Sequence, residues 1–324
     1  AEGPSLSRSR SWKRRTEIYR RERSMKYFYL IANPSKNGAV QVAGQITRYL
    51  RSRGAVCEGS AQEKRREGSA YGYTDKRKIP PRTQCVITLG GDGTLIQAAR
   101  DLVDLQIPMI GVNMGTLGYL TQIAQGEALP PMLDALLEDN FRLERRMMLE
   151  GAVVRVEDRQ AEVGQPKEQE KAGPARWEIA LNDIVLTRKD VMQVLKFQVY
   201  VNGGVLTEYT ADGMIVATPT GSTAYNLSAG GPIVAPGAEL IVLTPICAHS
   251  VHSRSIVLSH KDEIGIRVLE NVGQKQMAVF DGDHMMDLDG SGMLKIRESK
   301  RNTTLIQLKN VPFLVNIREK LARV

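Results

Sequence analysis

The chain has 324 residues, 42% hydrophobic and 25% charged, the make-up of a folded globular protein with room for two domains rather than of a disordered chain. No run approaches the roughly 18 uninterrupted apolar residues of a spanning helix, so no part is expected in a membrane. The net charge of +8 raises a nucleic-acid reading, but the excess is local: residues 1–24 carry +5, residues 60–82 carry +4, and the remainder sums to −1.

Residues 1–24 are rich in Arg and Ser, loosely like a transit peptide, although three glutamates count against that. Met25 follows and opens a strand-like run, so the segment reads as a dispensable basic extension. Tyr27–Ala32 is an apolar run ending in Asn33-Pro34-Ser35, a buried strand and a turn. Val40, Ala43, Ile46 and Leu50 fall at helical spacing, and Gly54 stands where that helix should stop. Residues 60–82 lack apolar periodicity and the aromatic pattern of an RNA-binding sheet. They read as a solvated, mobile insertion, and no nucleic-acid partner is expected.

Val86–Leu89 is the next buried strand, Gly90 to Gly93 a turn, and Leu95, Ile96, Ala99, Leu102 and Val103 a helix. Pro108 to Val112 is a third strand. This alternation predicts a parallel sheet covered by helices. After about residue 140 the pattern becomes mainly β. Strands are expected over 147–156, 177–187, 194–201, Gly213–Ala217, Leu240–Pro245, Ile264–Leu269 and Met277–Phe280, with a hairpin turn at Asn202-Gly203. Residues 160–176 read as a polar loop insertion, and Phe313–Leu321 as a helix packing back on the first domain. The expected domains are the extension 1–24, an α/β domain 25–140, a β-rich domain 141–305 and a returning segment 306–324.

Cys57, Cys85 and Cys247 have neither zinc spacing nor the density of a disulfide scaffold, which points to a reducing compartment and hence the cytoplasm. His249 and His252 stand three apart, but no nearby Cys or His completes a set, so no metal ligands are assigned.

Two segments carry chemistry. Gly90-Gly91-Asp92-Gly93-Thr94 lies between a buried strand and a helix, where glycines let the backbone approach a phosphate and a helix start offers free N–H groups. On the residues alone, Asp92 either orients a hydroxyl or a magnesium ion, or belongs to a tight turn capped by Asp or Thr. The second segment, Thr210 to Pro232, crowds small residues and hydroxyls around Asp212 and Tyr225, a surface suited to a polar, planar ligand. Gly-x-x-x-x-Gly-Lys and protein-kinase signatures are absent, which removes the common phosphoryl-transfer designs.

With Asn182-Asp183 and Asp281-Gly282, these motifs make the chain resemble the NAD kinases from about Tyr27 to the C-terminus. Diacylglycerol and sphingosine kinases share the first loop, while the long second motif is the more specific. The resemblance implies transfer of the γ-phosphate of ATP to the adenosine ribose 2′-hydroxyl of NAD, by a homo-oligomer, dimer or tetramer, with its site between the two domains. It implies that Asp92 contacts the reacting ribose beside Gly93. Asn182, Asp183 and Asp212 would hold the nucleoside, Thr223, Ala224, Tyr225 and Ser228 would line that pocket, and Asp281 would approach the nicotinamide end. Gly90, Gly91, Gly93, Thr94 and Lys36 are the candidate phosphate-binding residues. Magnesium would arrive with ATP and keep several waters. The family most often has Asn-Glu where this chain has Asn182-Asp183, which leaves the carboxylate one methylene shorter.

Overall fold

The computed structural model describes residues 24–64, 72–115, 118–123, 126–155, 176–189, 194–249, 253–269, 275–288 and 292–308, and residues 313, 315, 317 and 318. Residues 1–23, most of the expected loop at 160–176, and His252 lie outside the described residues.

The first half is built on four parallel strands, β1 (Tyr27–Ala32), β2 (Val56–Ala61), β5 (Cys85–Gly90) and β6 (Met109–Asn113), in the order β2-β1-β5-β6. Helix α1 (Ala39–Ser52) follows β1 and helix α2 (Asp92–Asp101) follows β5. The sequence of β1 shows why its strand is buried on both faces. Phe28, Leu30 and Ala32 point to a core shared with Ile46 and Leu50 of α1. Tyr29 and Ile31 point to a second core with Leu95 and Ala98 of α2 and Leu102 at its C-cap. That is the period-2 division of a strand sandwiched between helices. Full burial of Ile46 makes Ile46→Ala an expected loss of about 2–5 kcal/mol.

The short strands β3 (Glu63–Lys64) and β4 (Gly72–Tyr73) pair as a hairpin, and Lys76–Lys78 forms a 3₁₀ turn. The described part of 60–82 is therefore structured, contrary to the expectation of a mobile insertion. Four of its described cations are paired: Lys76 with Asp104, Arg77 with Asp75, Lys78 with Glu63 and Arg82 with Glu58.

Helix α3 (Leu129–Leu137) was not expected from the sequence. It leads to β7 (Arg142–Arg155), and the mainly β half follows as β8 (Glu178–Ala180), β9 (Asp183–Arg188), β10 (Leu195–Val201), β11 (Gly204–Ala211) and β12 (Gly213–Ala217). A four-residue helix α4 (Tyr225–Ser228) precedes β13 (Leu240–Ile246), β14 (Ile256–Ser259), β15 (Ile264–Val268), β16 (Gln276–Phe280), β17 (His284–Leu288) and β18 (Gly292–Gln307). Asn202 and Gly203 have φ of 52° and 80°, as the expected β10–β11 hairpin turn requires.

A six-stranded antiparallel sheet, β14-β13-β12-β9-β16-β17, packs on the antiparallel part of a ten-stranded sheet through Ile184, Leu186, Phe197, Met214, Ile266 and Phe280. The same ten-stranded sheet contains the four parallel strands. The join is β18, a 16-residue strand absent from the sequence reading. Its first part pairs with β15, and Leu305 pairs in parallel with Met109 of β6. The register with β7 shifts between Glu298 and Asn302, so the pair bends as it passes from one half to the other. β18 thus runs through the domain limit expected at residue 305. Ile306 is buried in the α1-side core, and residues 313, 315, 317 and 318 are helical.

Candidate active site

In the order β2-β1-β5-β6, the chain leaves β1 toward β2 and returns to the other side of β1 at β5, so the carboxyl ends of β1 and β5 form a topological switch point, where open α/β sheets hold ligands. There β5 ends at Gly90, Gly91 occupies the N-cap of α2, and Asp92 is the first helical residue. Of the turn expected over Gly90–Gly93 only Gly91 lies between strand and helix, and the helix is capped by no side chain. Gly90 is required for packing, since a Cβ there would lie 2.1 Å from Thr94 Oγ1. Asn33 Nδ2 donates to the same Thr94 hydroxyl at 3.1 Å, tying the end of β1 to the helix start. A cleft of about 250 Å³ opens here, lined by Asn33, Lys36, Gly91, Gly93, Thr94 and Arg100, with Gln62 and Gly72 from the hairpin side. The Thr94 N–H is taken by the Gly91 carbonyl at 3.0 Å, while the N–H groups of Asp92 and Gly93 open the helix at the positive end of its dipole, which with Lys36 gives this cleft the chemistry to receive an anion.

Asp92 faces the other way. Its carboxylate accepts the backbone N–H groups of Tyr119 (2.5 Å), Leu120 (3.2 Å) and Thr121 (3.0 Å), and the Thr121 hydroxyl at 3.1 Å. It therefore holds the segment after β6 against the start of α2. Gly118 is part of that contact, because a Cβ there would meet Asp92 Oδ1 at 2.0 Å. A second cleft, of about 230 Å³, is lined by Asp92, Ile96, Tyr119, Leu120, Asn182, Thr220, Thr223 and Ala224. Ile96 lines both clefts, and the first turn of α2 is the wall between them. Each is below the roughly 300–1,000 Å³ of a site that encloses a drug-sized ligand, so the two read as halves of one larger site.

The far wall comes from the β-rich half. Asn182 is held by Thr218, whose N–H donates to the Asn182 carbonyl at 2.8 Å and whose hydroxyl donates to the Leu181 carbonyl at 2.6 Å. Gly221 presses on the same carbonyl, where a Cβ would lie 2.1 Å away. On the other side Asp281 accepts the N–H groups of Leu181 (2.9 Å), Asn182 (2.7 Å) and Asp183 (3.2 Å). Asn182 Oδ1 is buried with no protein partner and belongs to a residue of the cleft wall, an acceptor suited to a ligand donor. Burial, and then the neighbouring Asp281, pushes the Asp183 carboxyl up to about 7. Burial also raises Asp281, against the opposing pull of Arg100 and the three backbone donors.

Of the residues expected at the site, Lys36, Gly91, Gly93, Thr94 and Asp281 line the first cleft, and Asp92, Asn182, Thr223 and Ala224 the second. Asp281 differs in kind from its expectation. Its carboxylate, 1% exposed, grips the backbone at 181–183 instead of reaching toward a ligand. Tyr225, 48% exposed, and Ser228 face outward on α4. Asp212 lies at the opposite end of β12 from Thr218 and pairs with Arg188 at 3.2 Å. Neither cleft includes these three. The sequence reading missed Asn33, Ile96, Arg100, Tyr119, Leu120, Thr220 and Asp283. The pair Asp281-Gly282, with φ of 48° and 70°, turns β16 into β17 and carries the Asp-Gly hairpin signal that would have located Asp283.

A helix start built for phosphate at the end of a parallel sheet, facing a polar pocket on a β sandwich, defines a nucleotide-dependent phosphotransferase. Residues 28–141 match the ATP-NAD kinase N-terminal domain and residues 181–308 the ATP-NAD kinase C-terminal domain. The NAD kinase of Lachnospira eligens is 40% identical over 92% of this chain and 100% of its own length, and that of Agathobacter rectalis is 39% identical over 92% and 99%. Among solved structures, yeast NADH kinase complexed with NADH aligns with a TM-score of 0.76 and 25% identity, covering 93% of this chain and 89% of its own. An NAD kinase from Archaeoglobus fulgidus in complex with ATP has the same fold, with a TM-score of 0.68 at 22% identity over 92% of this chain and 99% of its own. The chain belongs to the ATP-NAD kinase family.

Proposed function

We propose that this protein transfers the γ-phosphate of ATP to the adenosine ribose 2′-hydroxyl of NAD, giving NADP and ADP, at the paired cleft around the start of α2. The observation that carries this reading is the placement of Asp92 on the wall between an anion site and a polar pocket. In it, the first-turn N–H groups of α2 and Lys36 hold donor phosphate. Asn182, Thr223 and Ala224 hold the acceptor nucleoside, with Asn182 Oδ1 accepting from it. Asp92 takes a hydrogen bond from the attacking hydroxyl, so that catalysis rests on alignment and charge neutralisation.

Magnesium is the expected cofactor, and the donor chemistry suits an ion that arrives on the nucleotide. Asp281 and Asp283 are engaged by Arg100 and backbone N–H groups, and among the described residues no group of three His, Cys, Asp or Glu forms a cage. Phosphate oxygens and water would hold the ion, which would supply charge neutralisation. A homo-oligomer is part of the same reading, favoured by the exposed Tyr225 and by Val257 and Met285 on the outer strands β14 and β17. The three unpaired cysteines suit the cytoplasm, and among the described residues no helix is long and apolar enough to cross a membrane. The deciding experiment gives the purified chain NAD, ATP and magnesium, with a parallel arm containing NADH. NADP should accumulate, and none above a boiled control from folded protein would end the assignment.

A further inference from the structure

Arg100 projects from the third turn of α2, eight residues beyond Asp92, and its side chain is only 5% exposed. Its guanidinium reaches the turn between β16 and β17 in the other half. Nη1 donates to the Phe280 carbonyl at 3.0 Å and lies 3.9 Å from Asp281 Oδ2, while Nη2 meets Asp283 Oδ2 at 2.7 Å. Asp283 is 10% exposed and Asp281 1%. Asp281, in turn, receives the three consecutive backbone N–H groups of Leu181, Asn182 and Asp183.

These contacts link the helix that lines the first cleft to the strand end that carries Asn182: hydrogen bonds from Arg100 to Phe280 and Asp283, a longer ion pair to Asp281, and the three backbone N–H groups that Asp281 accepts. We infer that Arg100, through Asp281 and Asp283, is a positioning residue that fixes the acceptor pocket relative to the phosphate-binding helix start. The inference rests on the NAD kinase reading of the cleft.

Three features support a positioning role over simple packing. The guanidinium fork donates to two acceptors at once, the Phe280 carbonyl and Asp283, while its charge also faces Asp281, a geometry the point charge of an ammonium does not reproduce. Two buried carboxylates with one cation between them are an expensive arrangement, and an apolar contact would join two domains at lower desolvation cost. Asp281 also sits at φ 48°, a conformation a non-glycine residue rarely adopts, so its backbone is set by the hairpin and its carboxylate aimed by it. Arg100 itself lines the first cleft, within reach of its electrostatics, but its hydrogen-bonding edge is turned to the other half. Loosening it should misalign donor and acceptor more than it weakens the binding of either.

The test compares the full-length wild type with Arg100→Met and Arg100→Lys, measuring thermal midpoint and steady-state kinetics for NAD and ATP well below each midpoint. A misplacement of about 1 Å costs on the order of 10² in rate, so Arg100→Met should lose roughly 10- to 100-fold in kcat. Both Michaelis constants should change by much less. Arg100→Lys, which keeps the charge but not the fork, should fall between. If Arg100→Met does not fold, the lysine variant decides alone: reduced kcat in folded protein supports the inference. A lower midpoint with wild-type kcat per folded molecule, in either variant, overturns it in favour of a purely structural role. An inactive wild type would overturn the NAD kinase reading and this inference with it, whereas an active wild type matched by an equally active Arg100→Met overturns only the positioning role.

Discussion

Two aspartates in this molecule do the same thing in opposite surroundings. At the start of α2, Asp92 accepts the N–H groups of Tyr119, Leu120 and Thr121. At the β16–β17 turn, Asp281 accepts those of Leu181, Asn182 and Asp183. Each carboxylate thereby shapes a backbone segment that lines a cleft. Asp92 lies on the cleft wall, open to a ligand, whereas Asp281 is buried against Arg100. The same device is paired with a cleft-facing carboxylate at Asp92 and with a carboxylate turned to backbone and Arg100 at Asp281. A motif aspartate is therefore assigned by what its oxygens face, not by the motif that contains it.

The largest expected effect is at Asp92. Asp92→Asn removes the charge and turns one acceptor oxygen into an N–H₂ group facing backbone donors. If Asp92 takes the hydrogen bond of the attacking hydroxyl, kcat should fall by about 10²–10⁴. Stability should also fall, by roughly 1–3 kcal/mol for backbone donors left unpaired. Near-wild-type turnover at a lowered midpoint would make Asp92 a second Asp281, an anchor of the 119–121 segment and nothing more.

At Asp281 the loss should appear as stability. Asp281→Ala leaves three N–H groups buried without their acceptor and takes from Arg100 one of its two carboxylates, an expected cost of about 3–5 kcal/mol in denaturant unfolding. A change below about 1 kcal/mol would show that water or a shifted backbone replaces the carboxylate, and would remove the contrast with Asp92.

The difference between these aspartates was not legible in the sequence. Locally periodic elements were: Tyr27–Ala32 and Gly213–Ala217 are strands with the expected bounds, and α1 contains the expected helix, because apolar spacing reports a buried face directly. β18 was hidden by Arg297-Glu298-Ser299-Lys300-Arg301, where the register shift breaks the alternation. α3 was hidden by Pro130-Pro131, which reads as a breaker although proline is well suited to a first helical turn. The glycine loop was legible through its composition, and the structure places Gly91, Gly93 and Thr94 on the first cleft. Asp281 and Arg100 were not, because their partners lie about 100 and 180 residues away in the chain and meet only through the sheets.

Asp183 sharpens the comparison, since it shares the burial of Asp281 without its donors or its cation. Burial and the charge of Asp281 raise its carboxyl to about 7, against roughly 4 in an unfolded chain. With the folded value above the unfolded one, the native state holds a proton that the unfolded state releases. The stability this provides is full below about pH 4 and is lost as pH rises through 7. Asp183→Asn should therefore flatten the decline in thermal midpoint between pH 4 and 7, and should raise the midpoint at pH 8. An unchanged pH profile would place the Asp183 carboxylate in water rather than in the protein.

Asp212 carries the smallest expected effect and tests the comparison from outside. It belongs to the same sequence motif as Thr223 and Ala224, yet within one chain the motif is split. Asp212 and Thr218 flank the five residues of β12, so at about 3.3 Å per residue they stand roughly 20 Å apart. Its visible partner is Arg188, at 3.2 Å with both side chains partly exposed, a pair worth about 0–1 kcal/mol. Asp212→Ala should thus leave the thermal midpoint nearly unchanged. The resemblance nonetheless gives Asp212 to the nucleoside, and the two statements agree only if a second copy of the chain receives it in its own cleft. The expected outcome is a Michaelis constant for NAD raised about five- to tenfold, near the low end of the 1–3 kcal/mol for a lost ligand partner, with that for ATP unchanged. If the chain assembles as the proposed homo-oligomer, dilution that dissociates it should abolish the difference between variant and wild type. Wild-type kinetics in an intact oligomer would assign Asp212 to its surface ion pair alone.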